Sequence, residues 1–212
     1  MTTWPRYPTI YEINTRVWLF DLGEKAGHSV DLRSVPSPEW DRIAYGFDAV
    51  WLMGVWQRSP ASIAVTNRNN RLIEQFKRAL ADFQPQDNIG SAYSVRDYIA
   101  DQALGGSVGL AIARDELAKR GIRLILDFVP NHVALDHPWV AEHPKYFIEG
   151  NPDDAKNDPD SFVELNGHIF ARGQDPYFPA WQDVLQLNAF DSGLRGAAIE
   201  TVRRPAPPHL PH

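Results

Sequence analysis

The sequence predicts an α/β fold built from strand–helix units, on three observations. Phe47 to Met53 and Ile122 to Leu126 are short, nearly continuous apolar runs, as expected of parallel strands covered on both faces. Each run follows a stretch of helical character closed by a glycine, Gly46 and Gly121. Asp127 then interrupts the second run, Pro130 cannot donate to a ladder, and Asn131 and His132 follow at the strand's carboxyl end. In α/β folds that end is where ligand-binding and catalytic groups gather.

Taken in order, Thr9 to Leu19 alternates and is rich in β-branched and aromatic residues, which predicts the first strand. A glycine-bearing loop follows. Ser37 as N-cap, with Pro38 at the first helical position, starts a short helix to about Ala44. Phe47 to Met53 is the second strand. Helix followed by strand, twice over, predicts parallel pairing with right-handed crossovers. Residues 54–70 read as a long loop. Apolar residues at 72, 73, 76 and 80 give Arg71 to Ala81 helical spacing, and Phe83 to Tyr98 reads as loop. Ser107 caps a helix ending near Arg120, with Leu110, Ala113, Leu117 and Ala118 as its buried stripe. Asp115–Lys119 and Glu116–Arg120 are its expected i,i+4 pairs.

After His132 the pattern changes. Prolines at 138, 144, 152, 159, 176 and 179 break it repeatedly. Phe162 to Phe170 is the one regular element expected there, because Asn166-Gly167 between apolar runs is a strong hairpin signal. Asp191 to Val202 returns to helix, and a proline-rich tail follows. The organisation read from this is residues 1–132 as strand–helix units, 133–188 as an inserted irregular subdomain, 189–202 as a return helix and 203–212 as a tail. Strand–helix units followed by an excursion fit part of a (β/α) barrel.

Composition narrows the function classes. The chain has 212 residues, 43% of them hydrophobic, enough for a sizeable core. A formal net charge of -6 and no basic stripe argue against nucleic acid as the main partner. There is no cysteine, which excludes disulfides and thiolate chemistry. No apolar run approaches the ~20 residues of a membrane span, and the N-terminus lacks the apolar core of a secretory signal. The expectation is a cytoplasmic protein with no membrane partner.

Five stretches then carry a family resemblance. They are Tyr11-Glu-Ile-Asn14, Gly46-Phe-Asp-Ala-Val-Trp-Leu52, Gly90-Ser-Ala-Tyr-Ser-Val-Arg-Asp-Tyr98, Asp127-Phe-Val-Pro-Asn-His132 and Asp183-Val-Leu-Gln-Leu-Asn188. In order and spacing they resemble the α-amylase family of glycoside hydrolases, whose catalytic domain is a (β/α)₈ (TIM) barrel. The resemblance implies the first three βα units of such a barrel, with an irregular subdomain inserted after the third strand. A whole barrel takes roughly 250 residues and eight strands. The family's nucleophilic Asp, acid Glu and further Asp would all fall after residue 202. The tail therefore reads like a frame change or early stop before the fourth strand, and the chain is expected to be inactive alone.

The same resemblance assigns roles. Tyr93 stacks on the sugar in the cleaved subsite, His132 bonds a sugar hydroxyl there, and Asp127 orients an Arg beside the nucleophile. The three are expected to ring one hollow. Asn131 matches a position that holds a structural Ca²⁺ in many members, its amide oxygen being a suitably hard ligand. The implied substrate is an α-glucan or small α-glucoside, cleaved with retention by two carboxyl groups ~5 Å apart in the complete enzyme. Residue by residue, plainer readings stand alongside. Asp127 as a carboxylate satisfying backbone donors, Tyr93 as a half-buried loop aromatic, and Trp56 and Trp181 as packing residues are such alternatives. Two further functions compete: a non-catalytic sugar-binding or interaction remnant, and another barrel enzyme with Asp127 and His132 as metal ligands.

Overall fold

The computed structural model describes residues 4–203. The expected tail from residue 204 onward lies outside the described residues. In chain order the strand β1 (Ile10–Asn14) runs directly into helix α1 (Thr15–Ala26). The first strand therefore stops five residues short of Leu19, the end expected for it. Asn14 accounts for this: its side chain accepts from the Val17 N–H at 3.3 Å and caps the helix, while left-handed Gly27 closes it. A good cap outweighs the strand preference of the residues that follow it. Helix α2 (Ser37–Ala44) has Pro36, not Ser37, in the capping position, with no side-chain bond there. Strand β2 (Ala49–Met53) follows.

Residues 54–70 are not a plain loop. They hold β3 (Trp56–Arg58) and α3 (Pro60–Thr66), the latter started by Ser59, whose hydroxyl accepts from Ser62 N–H at 2.9 Å, and by Pro60 in the first turn. Helix α4 (Asn70–Ala79) lies where spacing put a helix but stops two residues before Ala81, with Leu80 already extended. Strand β4 (Val95–Ala100) occupies part of the second expected loop and pairs with β3. Helix α5 (Gly106–Lys119) leads to β5 (Arg123–Ile125). On α5, Glu116 takes both Lys119 (2.6 Å) and Arg120 (2.8 Å), while Asp115 pairs with Arg114 (3.1 Å), so the expected Asp115–Lys119 pair is replaced.

Beyond β5 the chain is more regular than its prolines predict. It forms β6 (His132–Ala134), α6 (Trp139–Glu142), α7 (Pro152–Asn157), β7 (Phe162–Leu165), β8 (His168–Ala171), β9 (Val184–Gln186) and α8 (Ser192–Arg203). Pro152 sits in the first turn of α7, where it is tolerated, and Asn151 with Asp154 completes a reciprocal capping box. The expected hairpin is present. Asn166 and Gly167 have φ of 54° and 78°, the pair of left-handed residues that a tight two-residue turn requires.

The chain divides into two compact units: residues 4–57 with 99–128, and residues 58–98 with 129–203. In the first, β1, β2 and β5 form a parallel sheet in the order β1-β2-β5, as helix–strand alternation predicts. The central strand is β2, whose Ala49, Val50 and Leu52 are fully buried among Trp40, Ile43, Leu104 and Leu117. The strand β5 is only half-buried, because it forms the edge of this sheet among the described residues. In the second unit β6 pairs antiparallel with β9, setting His132 opposite Gln186. Val133, Phe147, Phe170, Leu185 and Leu187 form its core.

Candidate functional site

Within the second unit a cavity of about 840 Å³ opens between α4, the segment leading to β4, the start of β6 and the segment entering β9. Its polar wall is made by Tyr93, His132 and Asp183, with Trp181 beside them. Its apolar lining is made by Leu72, Phe76 and Ala79 of α4, with Leu80, Phe83 and Val129. Two expected site residues, Tyr93 and His132, therefore share one hollow. The third, Asp127, belongs to the first unit and is not among the lining residues.

His132 is held from several sides. Its ring centroid lies 5.2 Å from that of Trp181, with the planes inclined at 58°. Asn131 Nδ2 lies 3.1 Å from Nδ1, which makes that nitrogen the acceptor in the neutral ring. Burial pushes the imidazole pKa below its ordinary value, and a hydrogen bond to the Tyr93 main chain works in the opposite direction. Behind the ring the backbone comes close. A Cβ at Gly173 would stand 2.7 Å from Val184 Cγ2 and 3.0 Å from His132 Cβ, so only glycine fits there without displacement.

Asp183 was legible as part of a motif but carried no assigned role. Its main-chain carbonyl faces two buried hydroxyls, Ser62 Oγ at 2.7 Å and Ser94 Oγ at 3.1 Å, themselves 2.6 Å apart. This knot ties α3 and the segment before β4 to the entrance of β9, and it fixes where the Asp183 side chain starts. Burial raises the carboxyl pKa, and Arg172 draws it down less strongly. Trp181, expected mainly as a packing residue, lines the same hollow.

Asn131 does not present an open oxygen. Gln186 Nε2 donates to both its backbone and side-chain oxygens at 2.9 Å, and Gln186 Oε1 accepts from Gln174 N–H at 3.2 Å. No group of three or more His, Asp or Glu side chains able to hold a metal occurs among the described residues. A hard cation needs several oxygen ligands. The residues around Asn131 offer amides already bonded to one another, so they do not fit a Ca²⁺ shell.

Asp127 has a clear structural occupation. It is 8% exposed, with Trp51 Nε1 donating to one carboxylate oxygen at 2.8 Å and Gly54 N–H to the other at 2.6 Å. Its main-chain carbonyl accepts from Trp56 Nε1 at 2.8 Å. The carboxylate thereby locks β2 and the turn after it to the end of β5.

A family model described as the alpha amylase catalytic domain matches residues 43–191. The chain belongs to the alpha-amylase family. The match takes in four of the five motif stretches, from Gly46 to Asn188, and leaves out Tyr11–Asn14. Among curated alpha-amylase relatives, an alpha-glucosidase of Culex pipiens is 28% identical over 172 residues, which is 77% of this chain and 24% of that protein. An oligo-1,6-glucosidase of Heyndrickxia coagulans is 27% identical over 150 residues, 68% of this chain and 21% of that protein. The chain thus spans about a quarter or less of these curated relatives. A solved alpha-amylase from Lactobacillus plantarum superposes with a TM-score of 0.60 at 20% identity, over 92% of this chain and 35% of that one, which shows a shared fold. No helix among the described residues is long and apolar enough to cross a membrane.

Proposed function

We propose that this chain forms the opening part of a (β/α)₈ catalytic barrel that acts on α-glucosidic bonds with retention, and that Tyr93 and His132 form its sugar-contacting wall. The observation that carries this reading is the meeting of the two residues, with Trp181, in one cavity of the second unit. Aromatic faces beside a neutral imidazole suit a sugar, whose ring offers apolar C–H faces and hydroxyl edges. The named activities of the alpha-glucosidase and oligo-1,6-glucosidase relatives support an α-glucoside as ligand.

In this reading the chain binds but does not turn over. Retaining cleavage needs a nucleophilic carboxylate and an acid carboxyl flanking the bond, about 5 Å apart. The family's pair would come from later strands. Asp127 acts here as a positioning residue, holding the strand end through Trp51 and Gly54. At the Asn131 corner Gln186 Nε2 already donates to both Asn131 oxygens.

Calorimetric titration of the purified chain with isomaltose and maltose, alongside an assay for released glucose, tests this. Saturable binding that weakens in His132→Ala, with no glucose released, is expected. Absence of binding, or glucose release by the chain alone, contradicts it.

A further inference from the structure

The cavity joins a largely apolar stretch of lining to a cluster of polar side chains. On α4, Leu72, Phe76 and Ala79 stand at i, i+4 and i+7, a single helix face, and Leu80 follows in extended conformation just past the helix end. None of the ten residues of α4 is buried. A helix so strongly two-sided normally owes its place to an apolar face packed away from water. Here that face lines the cavity instead, extended by Phe83, whose ring lies 5.4 Å from that of Phe76. The same cavity is lined by groups able to bond hydroxyls, among them His132, Asp183 and Tyr93. At about 840 Å³ the space is of the size that holds a drug-sized ligand, about 300–1,000 Å³.

We infer that the ligand of this cavity is an α-glucoside carrying a bulky apolar aglycone, aryl or alkyl, whose sugar lies against His132, Asp183 and Tyr93 while the aglycone covers Leu72, Phe76, Leu80 and Phe83. This rests on the α-glucoside reading above and adds the nature of the leaving half. A second sugar is the poorer occupant of the α4 side. Its hydroxyls would lose water against leucine and phenylalanine side chains that return no hydrogen bond. An aryl ring loses nothing there and removes apolar surface on both partners from water. The inference also gives Asp183 a task. A carboxyl raised in pKa by burial, with Arg172 as its cationic neighbour, gains hydrogen bonds when sugar hydroxyls reach it.

The test is calorimetric titration of the full chain with methyl α-glucoside, phenyl α-glucoside and isomaltose. Phenyl α-glucoside is expected to bind about tenfold or more tighter than methyl α-glucoside, the effect of burying one aromatic ring. In Phe76→Ala, and separately in Leu80→Gln at a half-exposed position that tolerates change, that advantage shrinks while methyl α-glucoside binds as before. Equal affinity of the methyl and phenyl glucosides, with both weakened by His132→Ala, overturns the aglycone inference and leaves the α-glucoside reading intact. A phenyl advantage untouched by both variants overturns it as well, by placing the ring elsewhere. If neither glucoside nor isomaltose binds, the α-glucoside reading fails and takes the inference with it.

Discussion

The imidazole of His132 and the indole of Trp181 lie 5.2 Å apart, centroid to centroid, and together form one end of the cavity. Burial is the main cause of the lowered imidazole pKa, and Trp181 is one of the groups beside the ring. Trp181→Ala is expected to let water reach the ring and bring its pKa back up toward the ordinary value. Titration of the His132 ring protons by NMR, in the two chains, checks it. An unmoved pKa would mean that other groups desolvate the ring.

Two cavity groups give the stability opposite pH dependences. His132 is held below its ordinary 6.5, so the unfolded chain takes up the proton first. Its contribution is present above pH 6.5 and is lost as pH falls through the folded value. Asp183 is held above its ordinary 3.8, so the folded chain keeps that proton longer. Its contribution is complete below pH 3.8 and fades as pH rises through the folded value. Thermal melts across pH 4 to 8 are expected to show His132→Gln losing less stability on the acid side than the parent. Asp183→Asn is expected to lose less on the way up from pH 4 to neutrality.

Gly173 is a packing requirement of the site. Its missing side chain leaves room for Val184, itself 3% exposed, and for the Cβ of His132. Gly173→Ala is expected to cost about 1–3 kcal/mol by overpacking. It should also shift the His132 ring resonances, which a substitution at open Gly196 would not do.

Asp127→Ala is expected to destabilise by about 1–3 kcal/mol for each donor left without an acceptor, the Gly54 N–H and the Trp51 indole N–H. Chemical denaturation measures it. Asp127→Asn keeps one acceptor oxygen and should fall between. Because Asp127 does not line the cavity, α-glucoside affinity of the still-folded variant should be unchanged.

The α/β class and the parallel order β1-β2-β5 were legible because helix followed by strand leaves few ways to pair. The hairpin was legible because Asn166-Gly167 is a local rule. Two misreadings fell where a cap decided the matter against composition, at Asn14 and at Ser59-Pro60, and a third where pairing with β3 made a strand of the loop before Ala100. Of the three residues expected to ring one hollow, Tyr93 and His132 share a cavity and Asp127 does not line it. Three contributors were hidden. Asp183 depends on two serines 121 and 89 residues away in the chain, a relation no local pattern carries. The Gln186–Asn131 bond arises only because β6 and β9 pair. The apolar face of α4 was visible as spacing, yet spacing cannot tell a face that packs into a core from one that lines a cavity.

The most direct test is an NMR titration of the chain with isomaltose, following the His132 imidazole and the Trp181 indole N–H, each assigned by its own substitution. Saturable shifts at both residues, absent on titration with a polyol of similar size, are the predicted result. Shifts confined to residues outside the cavity, or no saturable shift at all, would contradict the assignment of this cavity as a sugar site.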